Sequence, residues 1–362
     1  MRATQRAPAT RESLWVLVMP VDAHVWQSTQ PHAPPAPAAV CYRLGVGARL
    51  VGAPLRPHDS RRWAQQPHLS VSLAYVRDIL AYLAETQIRF YRLSSNLAPY
   101  ATHTGLPLAA RTHFARQLEE CGTELAAVGD AARAARVRLT MHPAQHVRLD
   151  SADDTLAARA LEELALAARL MDAMGLDGDS VLVVHAVAGP AGADHRDALA
   201  RFARRANAIS PSVRRRVVVE NDDRCADLGA CLWLHKRTGL PVVFDLLHHR
   251  CLNPAGLSVA EALSAALATW PAEQRPKVHL SSPRTELRLL RRQGRDHIVA
   301  PLPNQHADFL NPFECIDLLR VAQAQHARPF DILLEVKAHD LALLRLRAQL
   351  AHFAPELCAL VG

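Results

Sequence analysis

Eight short runs of β-branched and aliphatic residues, each followed by an Ala/Leu/Arg segment of helical period, fill the chain from Val40 almost to its end. The runs are 40–46, 88–94, 137–142, 180–185, 216–221, 241–246, 277–281 and 331–337; the helical segments lie near 71–86, 112–135, 153–174, 194–208, 226–238, 258–269, 312–325 and 340–351. Strict strand–helix alternation places helices over the faces of a parallel sheet. Eight such units in 362 residues predict an α/β chain forming a single (β/α)8 TIM barrel in preference to an open doubly wound sheet. No G-x-G-x-x-G or G-x-x-x-x-G-K-[ST] follows any of the runs, so no nucleotide cofactor is expected.

The barrel is expected over 41–352, with a C-terminal tail at 353–362. Residues 1–40 read as an N-terminal extension, because Gln30–Ala39 is rich in Pro and Ala, a composition that resists packing. With 49% hydrophobic and 21% charged residues the chain has material for a large core, and no apolar run reaches the roughly 18 residues of a membrane span. No membrane association is therefore expected, and a monomer in the cytoplasm, nucleoid-associated when acting, is the simplest reading. Seven cysteines, odd in number and without C-x-x-C, argue against a disulfide framework and fit a reducing compartment. The net charge of +7 permits an anionic partner without requiring one.

The ends of the runs carry the chemistry. The third stops at His142, the fourth at His185, the fifth at Glu220, the sixth at Asp245 with His248 three residues on, the seventh passes His279 and the eighth Glu335; His103 and His306 lie in the segments after the second and seventh. In a barrel of this type the C-terminal strand ends converge on one face. Carboxylates gathered in a low-dielectric mouth are costly unless cations compensate. Imidazole with carboxylate suits zinc, manganese or iron, and the absence of Cys at any strand end argues against a thiolate site. The donors outnumber what one ion can use, so two or three divalent ions are the economical inference, a common solution for phosphodiester hydrolysis.

Only three of the 42 basic residues are lysine, and two of them, Lys277 and Lys337, lie two positions from His279 and Glu335. Residues two apart on a strand face the same way, so both are expected to point toward the ligands. Arg92, Ser94 and Ser95, Asn221 and Asp222, and Arg284 also follow strands and are placed to meet a ligand at the mouth.

These residues carry a pattern. Through RLG (43–45), IRFYRLSSNLAPYATH (88–103), LTMHPAQHV (139–147), VVVENDDR (217–224), VVFDLLHHRCLNP (242–254), KVHLSSPR (277–284), HADF (306–309) and LLEVKAHDLALLRL (333–346), the chain resembles the UV damage endonuclease family. The resemblance implies a TIM barrel related to endonuclease IV and sugar isomerases. It implies a metal-dependent, ATP-independent endonuclease that nicks duplex DNA immediately 5′ to cyclobutane pyrimidine dimers and 6-4 photoproducts through metal-activated water, leaving 3′-hydroxyl and 5′-phosphate ends. Manganese is the implied ion, with zinc, magnesium and cobalt as alternatives. By motif position the metal ligands fall on His103, His142, His185, Glu220, Asp245, His248, His279, His306 and Glu335. Glu220, Glu335, Lys277 and His279 are the implied catalytic set, with Lys277 matching a family lysine that faces the cluster and is a candidate for carboxylation. Gln145 matches the residue that probes the damaged pair, joined in DNA and lesion contact by His146, Arg92, Ser94, Asn221 and Arg284.

The chain also departs from the family pattern. His146 stands where an aromatic is usual, Val46 replaces another, and a glycine-rich turn with tyrosine becomes 186–192, AVAGPAG. These changes touch lesion recognition and leave the ligand set intact, so an abasic-site endonuclease of the endonuclease IV type, a sugar isomerase or epimerase, and a non-catalytic lesion-binding relic are the alternative readings.

Overall fold

A computed structural model describes residues 42–144, 147–186 and 195–362. The extension expected at 1–40 lies outside the described residues. Eight parallel strands close a barrel: β1 (Tyr42–Val46), β2 (Phe90–Leu93), β3 (Arg138–Met141), β4 (Leu182–His185), β5 (Val217–Glu220), β6 (Val242–Asp245), β7 (Lys277–Leu280) and a last strand, Phe330–Leu334. Each pairs with its chain neighbour, and the last strand pairs with both β7 and β1, which closes the ring. Two further strands, β8 (Arg288–Arg292) and β9 (Arg295–Val299), form an antiparallel hairpin between β7 and the last strand, so that strand is β10.

The helical segments follow the expected spacing, with one correction. The single segment read at 112–135 is two helices, Leu108–Glu120 and Gly122–Ala134, divided at Cys121, whose backbone leaves the helical region at φ −99°, ψ 22°. Local caps fix other starts: Asp153 accepts from the backbone N–H groups of Thr155 and Leu156, and Ser258 and Glu261 form a reciprocal capping box. The segment expected to be a tail, 353–362, packs instead. A short helix, Pro355–Cys358, leads into Leu360 and Gly362, which exchange backbone hydrogen bonds with Tyr42 and Leu44 at 2.9 Å each. This covers the lower part of β1, where β2 pairs only with Gly45 and Val46.

Strand parity sorts the side chains. Leu44, Val46, Tyr91, Leu139, Val219 and Phe244 pack outward against the helices in the main core. The alternate positions enter the barrel, where Val181, Val183, Val218, Val243 and Trp270 form a separate apolar cluster. Inside, Phe90 lies so close to β1 that a Cβ on Gly45 would sit 2.4 Å from its ring, which is why β1 carries glycine there.

The barrel floor is ionic. Asp331 of β10 is fully buried, accepts two hydrogen bonds from Arg43 at 2.9 and 2.7 Å, and accepts one each from Arg138 at 2.8 Å and Arg275 at 2.6 Å. Burial opposes its ionisation, but Arg138, Arg43 and Arg275 outweigh that and hold its carboxyl below the usual aspartate range. A carboxyl lowered on folding adds stability above its unfolded pKa of about 3.9 and loses that contribution as acid carries the pH below it. Asp331→Asn is therefore expected to cost about 3–5 kcal/mol at pH 7, because three guanidiniums lose their counter-charge. Urea unfolding should show the gap to the parent protein narrowing below about pH 4; a gap independent of pH would mean that the charge is not the cause.

Candidate metal centre and active site

The interior has two inward layers whose membership parity fixes, the lower one level with Asp331 by strand register. Lys277 and His279, Val218 and Glu220, Val243 and Asp245, and Thr140 and His142 are successive inward positions of β7, β5, β6 and β3 or its extension. Cross-strand register sets their levels: His185 lies opposite Glu220, Asp245 opposite His279, and Asp331 opposite Lys277. The carboxylates and imidazoles thus share the upper layer, one step above Lys277.

Glu220 is the centre of that layer and is fully buried. Its carboxylate lies 2.7 Å from Nδ1 of His279, 3.2 Å from Nε2 of His142, 3.6 Å from Nδ1 of His248 and 3.8 Å from Nε2 of His185. Two donor groups share it. One is His142, His185 and Glu220; the other is Glu220, Asp245, His279 and Glu335; within each group the donor atoms lie within 4.8 Å of one another.

His248 arrives by a different route. Asp245 both ends β6 and caps the short helix Leu246–Cys251, accepting the backbone N–H of His248 at 2.8 Å. Nδ1 of His248 is 2.9 Å from the carbonyl of Asn221, which leaves Nε2 for another partner. His306 is held by a bridge between its backbone and that of Pro283, and its ring packs edge-on to His248 with centroids 6.0 Å apart.

The residues present fit divalent ions. Asp245 Oδ2, His185 Nδ1, His279 Nε2 and His306 Nδ1 are buried without a hydrogen-bond partner among the described residues, a costly arrangement for polar atoms unless something else engages them. Burial pushes the carboxyl of Asp245 up to about 7, and Glu220 and Glu335 add to that. Burial works against a charged His248, yet Asp245, Glu220 and Glu335 carry it up to about 9. Burial also opposes the charge on Glu220 and Glu335, but His279 outweighs it and holds both below the usual glutamate range, so Asp245 alone resists ionisation, beside an imidazole that keeps its proton. Hard oxygen donors mixed with imidazole and no thiolate suit ions of the manganese, iron and zinc kind.

The centre opens into a cavity of about 1030 Å3, lined by Arg92, Ser94, His142, His185, His248, Arg288, His306, Glu335 and Lys337 among others. Arg92 donates to Glu335 in a close ion pair at the rim.

Several expected site residues are placed differently. Asn221 is buried, and its amide engages β6, donating to the carbonyl of Asp245 at 3.1 Å and accepting its N–H at 2.9 Å, so it braces Asp245. The side chain of Arg284 is 9% exposed and donates through Nε to the carbonyl of Glu286 at 3.1 Å. Ser94, by contrast, does line the cavity, its hydroxyl 2.9 Å from Nδ1 of His58. His103 is exposed, beside Tyr100 with ring centroids 5.8 Å apart, and joins neither donor group. Gln145 and His146 lie outside the described residues. Sequence reading passed over Arg288 and Asn304, which line the cavity from the segment after β7; Asn304 pairs closely with Asp223.

The chain matches the family described as UV-endonuclease UvdE over residues 60–358. A UV DNA damage endonuclease of Halalkalibacterium halodurans strain C-125 is 30% identical over 282 residues, covering 78% of this chain and 79% of that protein. The chain belongs to the UvdE family. A UV DNA damage endonuclease of Bacillus velezensis strain FZB42 is 29% identical over 297 residues, covering 81% and 85% of the two chains. The crystal structure of SacUVDE superposes with a TM-score of 0.69 at 26% identity, over 86% of this chain and 98% of that one. A D-psicose 3-epimerase from Clostridium cellulolyticum H10 shares the fold with a TM-score of 0.52 at 9% identity, over 88% and 100% of the two chains. Among the described residues no helix is long and apolar enough to cross a membrane.

If the UvdE-type layer holds ions, manganese should raise the thermal midpoint of the protein, by the equivalent of about 2.7 kcal/mol at a hundredfold excess over Kd, and a chelator should reverse it. Glu220→Gln, which strikes the donor common to both groups, should abolish the shift and lower bound metal measured by mass spectrometry. Equal metal content in the two proteins would disprove a shared site at Glu220.

Proposed function

We propose that this chain is a metal-dependent DNA repair endonuclease that nicks duplex DNA immediately 5′ to cyclobutane pyrimidine dimers and 6-4 photoproducts, without ATP, leaving 3′-hydroxyl and 5′-phosphate ends. The observation that carries this reading is the Glu220-centred donor layer opening into a wide, arginine-rimmed cavity, in a chain of the UvdE family. His142 and His185 with Glu220, and Asp245, His279 and Glu335 with Glu220, would hold the ions; His248 and His306 stand beside them at the cavity wall. Bound there, divalent ions supply Lewis-acid polarisation of the phosphate and a nucleophile available near neutral pH.

The chain's own residues set the stage. Arg92 lies at the rim with its guanidinium against Glu335, so the same group is within reach of a phosphate drawn into the cavity. Lys337 lines the cavity and adds a positive charge that tolerates many phosphate geometries. Lys277 works from below. It is fully buried, with Nζ 3.4 Å from Thr140 Oγ1 and 5.6 Å from the centre of the Phe90 ring. Burial, then Arg92 and Arg138, drive its amine well below the usual lysine range, against the pull of Glu220 and Glu335. Asn221 keeps β5 and β6 in register at the point where Glu220 and Asp245 leave the sheet.

The test is strand cleavage of a defined duplex with one photoproduct, compared with an abasic analogue, with manganese, magnesium and zinc each supplied. The parent protein should cut 5′ to the photoproduct, and Glu220→Gln should reduce the rate by at least about a thousandfold, the scale of losing ion-based catalysis. Cleavage of the abasic duplex alone would reassign the substrate, and undiminished cleavage by Glu220→Gln would overturn the site.

A further inference from the structure

The excursion between β7 and the helix that begins at Pro312 is not used by the metal centre beyond His306. It leaves and re-enters the barrel through one clamp, in which Arg284 donates its backbone N–H to Gln305 at 2.6 Å, Pro283 bridges His306, and Ala307 donates to Ser282 at 2.9 Å. Between these points the chain forms the β8–β9 hairpin, turned by Gln293 and Gly294 at φ 50° and 77°, the paired positive-φ geometry of a two-residue turn. From Arg284 to Gln305 there are five arginines against two acids, Glu286 and Asp296.

The hairpin's register sorts these charges. Arg288 faces Val299, Leu290 faces His297, and Arg292 faces Arg295; these alternate with Leu289 opposite Ile298 and Arg291 opposite Asp296. One face therefore carries Arg288, Arg292 and Arg295 with no carboxylate, while the other carries a balanced charge pair and two exposed aliphatics. None of Arg288, Arg292 and Arg295 is engaged by a carboxylate among the described residues. Arg288 lines the cavity, so the basic face is continuous with the mouth of the metal centre.

We infer that this hairpin is a DNA-gripping arm whose basic face holds phosphates of the duplex flanking the scissile bond. The inference rests on the nuclease reading above for the nature of the partner. Arginine forks match phosphate oxygens, and unpaired guanidiniums on an exposed ribbon keep their full field for a polyanion. Two strands of five residues extend about 17 Å, the length of roughly five base pairs of one strand, enough to reach beyond the nucleotides in the cavity. The clamp at Pro283–His306 ties the base of the arm to a wall residue of the site, so grip on the flank and register at the centre share one anchor.

The test is binding of undamaged duplex, which needs no cleavage, measured by fluorescence anisotropy from 50 to 300 mM salt on the full chain. The triple variant R288A/R292A/R295A should bind at least tenfold more weakly at 50 mM salt. It should also lose about two to three from the slope of log K against log salt, nearly one per phosphate contact. R288K/R292K/R295K, which keeps the charge, should retain most of the slope. An unchanged slope in a triple variant whose thermal midpoint matches the parent would overturn the arm while leaving the nuclease reading standing. Failure of the parent protein to bind duplex at all would sink the nuclease reading with it. Equal weakening by L289S/I298S with the arginines intact would show that the aliphatic face, and hence a protein contact, is what matters, and would overturn the proposal.

Discussion

Everything in the upper barrel is arranged around a carboxylate that has been removed from water. Glu220 is fully buried at the end of β5, and an isolated charge there would be untenable. The same fold meets the same difficulty twice and answers it in two ways. At the floor, Asp331 is neutralised within the chain by Arg43, Arg138 and Arg275, and the result is a closed structural plug. At the mouth, Glu220, Asp245 and Glu335 share one guanidinium, that of Arg92, and a set of imidazoles. The first layer satisfies itself; the second is left short of positive charge and open to the cavity, which is what a site for exchangeable cations and an anionic substrate requires.

The eightfold alternation and the inward position of the clustered carboxylates and imidazoles were legible because both follow from period-two parity and from where apolar runs stop. His142, His185, Glu220, Asp245 and Glu335 are the residues at which a buried strand becomes polar, and that signal needs no three-dimensional information. Depth was not legible. Lys277 does face inward, as its spacing from His279 demands, but two residues is one layer, about 6.6 Å along a strand, and that step takes the amine below the donors instead of among them. The roles of Asn221 and Arg284 were not legible for a related reason. A polar residue after a strand is equally placed to brace the next strand or to meet a ligand, and only the amide's two bonds to Asp245 decide the matter. The β8–β9 hairpin was missed because its faces are exposed on both sides, so no hydrophobic periodicity marks it; the Gln293–Gly294 turn was the one local clue.

The short helix after β6 shows how one residue can serve fold and site together. Asp245 ends the strand, caps the helix through the N–H of His248, and offers Oδ2 to the donor layer. Replacing it removes a cap worth about 1 kcal/mol as well as a member of the donor group. His248 then owes its place to two interactions, its backbone N–H on Asp245 and its Nδ1 beside the carbonyl of Asn221.

Charge distribution bears on which kind of substrate this barrel suits. The epimerase that shares its fold does so at 9% identity, so the architecture by itself says nothing of substrate. The placement of the +7 excess carries more information. Most of the acids that matter are turned inward at Glu220, Asp245, Glu335 and Asp331, while Arg288, Arg292 and Arg295 stand on an exposed ribbon at the rim of a 1030 Å3 opening. A small neutral sugar needs an enclosed pocket with a few convergent hydrogen bonds and gains little from an arginine arm outside it. A duplex, with a negative charge about every 1.7 Å of its axis, gains from every one of those guanidiniums before a single base is read.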